Sequence, residues 1–410
     1  MDKETKRNKE TKETKETKEM NRREFVKKAV IVGGGICLGF GVCGCLNKLS
    51  EHAGNGNLSS NFTASESIKT EELWKWSKEA YHYLKLGNNM KCKLCPNECL
   101  IEPKERSTCK NKVNVNGKLY TLAYGNPCAV HIDPIEKKPL FHFLPTTKAF
   151  SIATAGCNFS CLNCQNWSIS QSRPEETKNF DLFPEGVVKN ALDSGCASIA
   201  YTYSEPTAFY EYMYDTSKLA HENNIKNLWI TNGYINEKPL REFCKYLDAA
   251  NVDLKSFKEE IYNELNSGTL KPVLNTLKIL KEEGVWFEVT NLVVPTWTDD
   301  LDMIGEMCKW LIKNIGPNYP LHFSRFHPMY KLTHLPATPL KILEDARKTA
   351  VDSGLKYVYI GNVPEKSTED TYCPGCGKIV VARRGFLVMQ NNIEDAKCKF
   401  CGEGIAGVWS

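Results

Sequence analysis

Beyond its first 28 residues the 410-residue sequence lacks net charge: residues 1–28 hold eleven basic and seven acidic side chains, and that difference is the whole of the formal +4. A neutral body has no electrostatic means of holding a long phosphate backbone, which sets nucleic acid aside and favours small molecules or proteins as partners. The chain also lacks the bias of a disordered or collagen-like protein. With 41% hydrophobic and 25% charged residues it can bury one large core or two modest ones. Apolar side chains are scarce in residues 1–19, a repeat of Lys-Glu-Thr that cannot repay the entropy of ordering.

After that basic tail, Asn21-Arg22-Arg23-Glu24-Phe25-Val26-Lys27 precedes eighteen uncharged residues, Ala29 to Leu46, six of them glycine. The pattern resembles a twin-arginine export signal. The same run is at the lower length limit for spanning a bilayer, so a membrane tether through residues 29–46 is the other reading. Residues 47–70, rich in Ser, Asn and Gly, read as a linker.

Cysteine is abundant: of eighteen, eleven fall in three tight groups. Gaps of two or three residues bring thiols together on one loop, which suits a metal better than a disulfide. Cys373, Cys376, Cys398 and Cys401 form two C-x-x-C-G knuckles, the pattern of a closed structural zinc ribbon over residues 373–410, with a single rubredoxin-like iron as the alternative. Cys92, Cys95, Cys99 and Cys109 depart from that spacing. They are a second zinc or iron-sulfur site, zinc being the commoner occupant of such a module, and Cys128 is near enough in sequence to be a fifth ligand. An amino-terminal helix accompanies this module in residues 71–145. Cys196, Cys244 and Cys308 stand alone and read as small core residues.

Between residues 146 and 362 short apolar runs alternate with helical stretches, predicting strands near 150–155, 198–203, 227–231, 252–255, 286–294, 321–326 and 357–360. Periodicity does not separate an open doubly wound sheet from a barrel. Polar clusters after nearly every strand favour the barrel, because a site at its top draws on many strand ends. The fold class is therefore α/β, a TIM-type barrel flanked by the cysteine-rich module and the ribbon.

Directly after the first of these strands comes Gly156-Cys157-Asn158-Phe159-Ser160-Cys161-Leu162-Asn163-Cys164. Three cysteines on one loop can hold three irons of a cubane and leave the fourth iron open for chemistry. A zinc site completed by a distant histidine is the blander alternative. The C-x-x-x-C-x-x-C spacing resembles the radical S-adenosylmethionine (SAM) superfamily. With Asp133 to Leu140, Cys164 to Trp167, Ala200 to Thr207 and Phe323 to Pro328, the chain from about Cys92 to Trp409 resembles the AmmeMemoRadiSam system radical SAM enzymes, relatives of the pyruvate formate-lyase activating enzymes.

That resemblance implies a partial barrel of six strand-helix units with a lateral opening, a four-iron–four-sulfur (4Fe–4S) cluster on Cys157, Cys161 and Cys164, SAM on the open iron, and reductive cleavage to a 5'-deoxyadenosyl radical that abstracts hydrogen from an unidentified substrate, a protein among the candidates. It implies that Glu205 meets the methionyl ammonium, that Asp253 and Lys255 lie beside SAM, that His327 lies near its ribose, and that Asn232 and Glu288 belong to the same pocket. Relatives carry an aromatic residue before the third cysteine where this chain has Asn163, which makes Phe159 the substitute for holding adenine. Implied partners are a low-potential electron donor and Memo-like or Ammecr-type proteins. SAM and such donors are cytosolic, so the body is expected to face the cytoplasm on a tether, with export by the twin-arginine route as the alternative. A non-catalytic iron-sulfur carrier or metal-scaffolded binding module is the competing class; it accounts for the cysteines but not for the polar strand ends.

Overall fold

The computed structural model describes residues 73–363 and 368–410, so the tail, the twin-arginine-like leader or tether and the linker expected over 1–70 lie outside the described residues. Among the described residues no helix is long and apolar enough to cross a membrane.

One eight-stranded sheet organises the chain: β1 (Ala129–Pro134), β2 (Lys148–Ala153), β3 (Ser198–Tyr201), β4 (Lys226–Thr231), β5 (Ala249–Asp253), β6 (Trp286–Val293), β7 (Leu321–Arg325) and β8 (Val358–Gly361). The strands lie side by side in chain order with β1 and β8 at the edges. β1 pairs antiparallel with β2, and every later pairing is parallel. The parallel strands are linked through α1 (Pro184–Asp193), α2 (Tyr210–Glu222), α3 (Glu237–Cys244), α4 (Leu270–Glu282), α5 (Leu301–Asn314) and α6 (Leu340–Asp352). Each helix lays an apolar stripe on the sheet; in α4 it is Val273, Leu277 and Leu280, all fully buried at i, i+4, i+7 spacing. All seven strands expected from the sequence are present. Cys196, Cys244 and Cys308 are buried in the core, as expected.

Two readings of residues 71–145 need correction. The sheet begins at Ala129, ahead of residue 146, because β1 adds an antiparallel edge. The expected helix is absent among the described residues there, which form short antiparallel strands such as Lys112–Val115 and Lys118–Thr121. The cause is local: Asn116 and Gly117 both take positive φ, 52° and 72°, the two-residue hairpin turn that matches strand twist.

After β1 the chain carries Ile135, Leu140 and Phe143 against the small residues Ala149, Ala200 and Ala249 of the sheet. The carboxyl-terminal module clamps onto this segment. Leu144 N–H donates to the Val408 carbonyl at 2.7 Å, Val408 N–H to the His142 carbonyl at 2.8 Å, and the Arg383 guanidinium to the Phe141 carbonyl at 2.7 Å.

Candidate active site

The loop from Gly156 to Cys164 leaves the carboxyl end of β2 and is pinned from several sides. Ser160 and Leu162 N–H donate to the carbonyls of Asn266 and Leu265 at 3.1 and 2.9 Å, and Leu162 accepts from Lys331 N–H at 3.0 Å. Gly156 takes φ of +94°, and the Cys109 carbonyl and Asn111 amide oxygen stand 2.5 Å from where a Cβ would be, so only glycine fits. Cys161 is buried, while Cys157 and Cys164 are half-buried.

Amide side chains address the sulfurs. Asn266 Nδ2 lies 3.2 Å from Cys161 Sγ, and Asn232 Nδ2 lies 4.0 Å from Cys157 Sγ and 2.8 Å from Asn158 Oδ1. Asn158 in turn donates to the Tyr234 carbonyl at 2.8 Å. Asn232 also accepts from Tyr234 N–H at 2.9 Å. Its side chain therefore positions the cysteine loop, with its hydrogen-bonding capacity already used by the protein.

Glu205, just past β3, is buried at 3% exposure. Its carboxylate accepts from Thr207 N–H at 2.9 Å, the Thr231 hydroxyl at 2.8 Å and Asn232 N–H at 2.8 Å. It thus caps the turn at Pro206 and ties the ends of β3 and β4 together. Burial raises the Glu205 pKa, against the pull of its donors. Asn232 joins the two groups, its N–H on Glu205 and its Nδ2 4.0 Å from Cys157 Sγ, and the Cys157 thiol is pushed up first by burial and then by the Glu205 carboxylate.

On the other side of the loop, Asp253 closes β5 and pairs with Lys255 at 2.9 Å, both half-buried. Burial works against the Lys255 ammonium, yet Asp253 and then Cys161 hold its pKa above the ordinary lysine value. Burial pushes the Cys161 thiol up, while Lys255 and Asn266 act in the opposite direction. The result is a trio of thiols with a carboxylate on one flank and an ion pair on the other.

Three expectations, for Glu288, Phe159 and Cys128, are corrected by this geometry. Glu288 points elsewhere: its carboxylate accepts from His142 N–H at 2.7 Å and lies 2.6 Å from His322 Nε2. The reason is its height, since Glu288 is third in β6, opposite Asn251, and Thr290 is the residue level with Asp253. Phe159 is 1% exposed, its ring packed on Tyr234 and Tyr262, and presents no face to an adenine. His327, expected beside the ribose, stands exposed just past β7 with Nε2 3.5 Å from the Asn362 carbonyl. Cys128 donates its N–H to the Ala153 carbonyl at 2.8 Å, at the sheet edge, and does not join Cys92, Cys95, Cys99 and Cys109 around their shared gap. Asn266 and Asn158 were missed by sequence reasoning. Asn158 lies inside the motif, whereas nothing local to Asn266 marks it.

The three cysteine groups differ in spread. Among the described residues, only Cys373, Cys376, Cys398 and Cys401 have their sulfurs all within 4.8 Å, with Cys373–Cys401 at 3.6 Å and Cys376–Cys398 at 3.8 Å. Four thiolates about 2.3 Å from one tetrahedral ion stand roughly 3.8 Å apart, so this group fits a single ion. The sulfurs of Cys157, Cys161 and Cys164 do not all lie within 4.8 Å of one another, which suits ligands to separate irons.

Residues 151–311 match the Radical SAM superfamily. An uncharacterised protein of Methanocaldococcus jannaschii is 48% identical over 331 residues, 80% of this chain and 98% of its own. The chain belongs to the radical SAM superfamily. Pyruvate formate-lyase 1-activating enzyme of Escherichia coli is 25% identical to this radical SAM enzyme over 182 residues, 43% of this chain and 73% of its own. A crystal structure of a domain of pyruvate-formate lyase-activating enzyme from Bacteroides vulgatus covers 40% of this chain and 99% of its own, at 15% identity and a TM-score of 0.36. Membership implies a 4Fe–4S cluster and SAM, and the residues present fit them: Cys157, Cys161 and Cys164 are three soft donors on one pinned loop, with the Lys255–Asp253 pair beside it.

Proposed function

We propose that this radical SAM enzyme reductively cleaves SAM to abstract hydrogen from a substrate, and that it belongs to the AmmeMemoRadiSam branch. The reading rests on one observation: Cys157, Cys161 and Cys164 are held on one loop between the Glu205 carboxylate and the Lys255–Asp253 pair. A cluster bound there, with SAM on its open iron, supplies one electron and a 5'-deoxyadenosyl group to the reaction. The protein's own contribution is positional. Asn266 and Asn232 orient the sulfurs, and the half-buried Lys255 ammonium lowers the cost of negative charge at Cys161.

In this reading the sheet rolls into a partial barrel around the site, β1 and β8 bordering the gap through which substrate enters. Cys373, Cys376, Cys398 and Cys401 hold zinc as a structural ribbon. The electron comes from a low-potential donor protein, a Memo-like or Ammecr-type protein is substrate or co-worker, and the body faces the cytoplasm.

The test is deoxyadenosine formation by Asp253→Asn and Lys255→Met proteins with full iron content, under anaerobic reducing conditions. The proposal expects a loss of about tenfold or more for each, as befits charge-assisted hydrogen bonds of roughly 1.5 to 3 kcal/mol. A simple electron carrier keeps its redox cycle and forms no deoxyadenosine in either form.

A further inference from the structure

We infer that Cys92, Cys95, Cys99 and Cys109 hold a second 4Fe–4S cluster, against the backbone of the radical SAM loop. The inference deepens the proposed function and borrows its reading of Cys157, Cys161 and Cys164 for comparison.

Cys92 ends the strand Asn89–Cys92, and its N–H closes the turn onto the Cys99 carbonyl at 2.9 Å, with Cys95 inside that turn. Cys109 arrives from the next loop. All four line one small gap, together with Lys112 and Asn158. A single zinc would draw four sulfurs to roughly 3.8 Å from one another. No three of these sulfurs lie within 4.8 Å of one another, whereas all four of the carboxyl-terminal group do. The quartet therefore shares the wide spread of the radical SAM loop and not the closed spread of the ribbon. Four thiols lining one site at that wide spread, each placed to meet its own metal, suit a cubane better than one ion.

The charge balance agrees. Four thiolates on a cubane leave it anionic, and the Lys112 ammonium, 1% exposed and paired with Glu211, borders the gap. Two contacts tie the site to the radical SAM loop. Asn97 Nδ2 donates to the Asn158 carbonyl at 2.8 Å, and the Cys109 carbonyl lies against Gly156, the residue before Cys157. The second cluster thus abuts the first cluster's own loop on its Gly156–Asn158 side.

The test is metal and sulfide content of the full-length chain, expressed with added iron and purified anaerobically. With Cys157, Cys161 and Cys164 all changed to Ala, about four irons and four sulfides per chain should remain, against about eight of each in the wild type. Adding Cys99→Ser and Cys109→Ser to that triple variant should remove them. A triple variant with zinc in place of iron, or with neither metal beyond the ribbon's, overturns the inference, as does iron that survives the added serines. Failure of the proposed function reads differently: the wild type would then hold about four irons and the triple variant would lose none. A second measurement needs no variant. Adding SAM to the reduced wild type should change about half of the cluster signal in its paramagnetic resonance spectrum, and a change in all of it contradicts a second cluster.

Discussion

The carboxyl-terminal cysteines and the loop cysteines sit in opposite settings. Cys376 and Cys401 are exposed and the four sulfurs of their group converge within 4.8 Å, whereas Cys157, Cys161 and Cys164 are spread beside an ion pair and a buried carboxylate. A converged set fills every coordination position with protein and can only hold structure. A spread set of three leaves room for a reactant, and the polar groups around it serve that reactant. The difference is written in chain geometry: two knuckles from separate turns can close around a point, but one loop pinned by Asn266, Leu265 and Lys331 cannot.

The most severe way to break the comparison is to open the closed set. With zinc in that group, as proposed, Cys398→Ala should release it and unfold residues 371–410, since a module of this size depends on its metal. Limited proteolysis should then cut near Asp370 while iron at the loop is retained. Loss of iron together with zinc would mean that the two regions are not independent.

The join between ribbon and sheet should weaken in acid. His142, with Nδ1 2.6 Å from the Ala406 carbonyl and Nε2 2.5 Å from the Tyr359 hydroxyl, is pushed down to about 4 by burial. The fold holds it neutral while the unfolded chain protonates near the ordinary value of about 6.5. Its contribution is therefore complete above pH 6.5 and lost as pH falls toward 4, amounting to about 3 kcal/mol at the acid end. Denaturant titrations at pH 7 and pH 4.5 measure it. In His142→Gln that part of the pH dependence should disappear.

Glu205 sharpens the contrast from the loop side. In Glu205→Gln one oxygen that accepts from Thr207, Thr231 or Asn232 becomes an NH₂ facing a donor, at a cost of about 1.5 to 3 kcal/mol in stability. If the carboxylate also meets the methionyl ammonium, SAM affinity falls about ten- to a hundred-fold as well. Calorimetry separates the two: unchanged affinity with reduced stability would leave Glu205 as a structural clamp. The smallest effect belongs to Asn266→Ala. Removing a donor worth about 1 kcal/mol from Cys161 should lower the loop cluster's reduction potential by roughly 40 mV, read by redox titration.

Most of the sheet was legible because its strands are buried on both faces and read as short apolar runs between helical stretches. The Asp253–Lys255 pair was legible for the same reason, as polar residues directly after such a run. Glu288 misled because polar character was read without height: a carboxylate third in an eight-residue strand belongs to the opposite end from the site. Asn266 was invisible because it reaches Cys161 across 105 residues of sequence from a turn that carries no motif. The strand Ala129–Pro134 was hidden by its partly exposed edge position, where apolar alternation is weak.

The most direct measurement of the central claim is deoxyadenosine released per chain from SAM under anaerobic reduction, in the wild type and in Cys157→Ala, Cys161→Ala and Cys164→Ala singly. The account predicts turnover in the wild type and none in any variant, with the ribbon's zinc undisturbed in all three. Wild-type levels of deoxyadenosine from any of the three variants would contradict it.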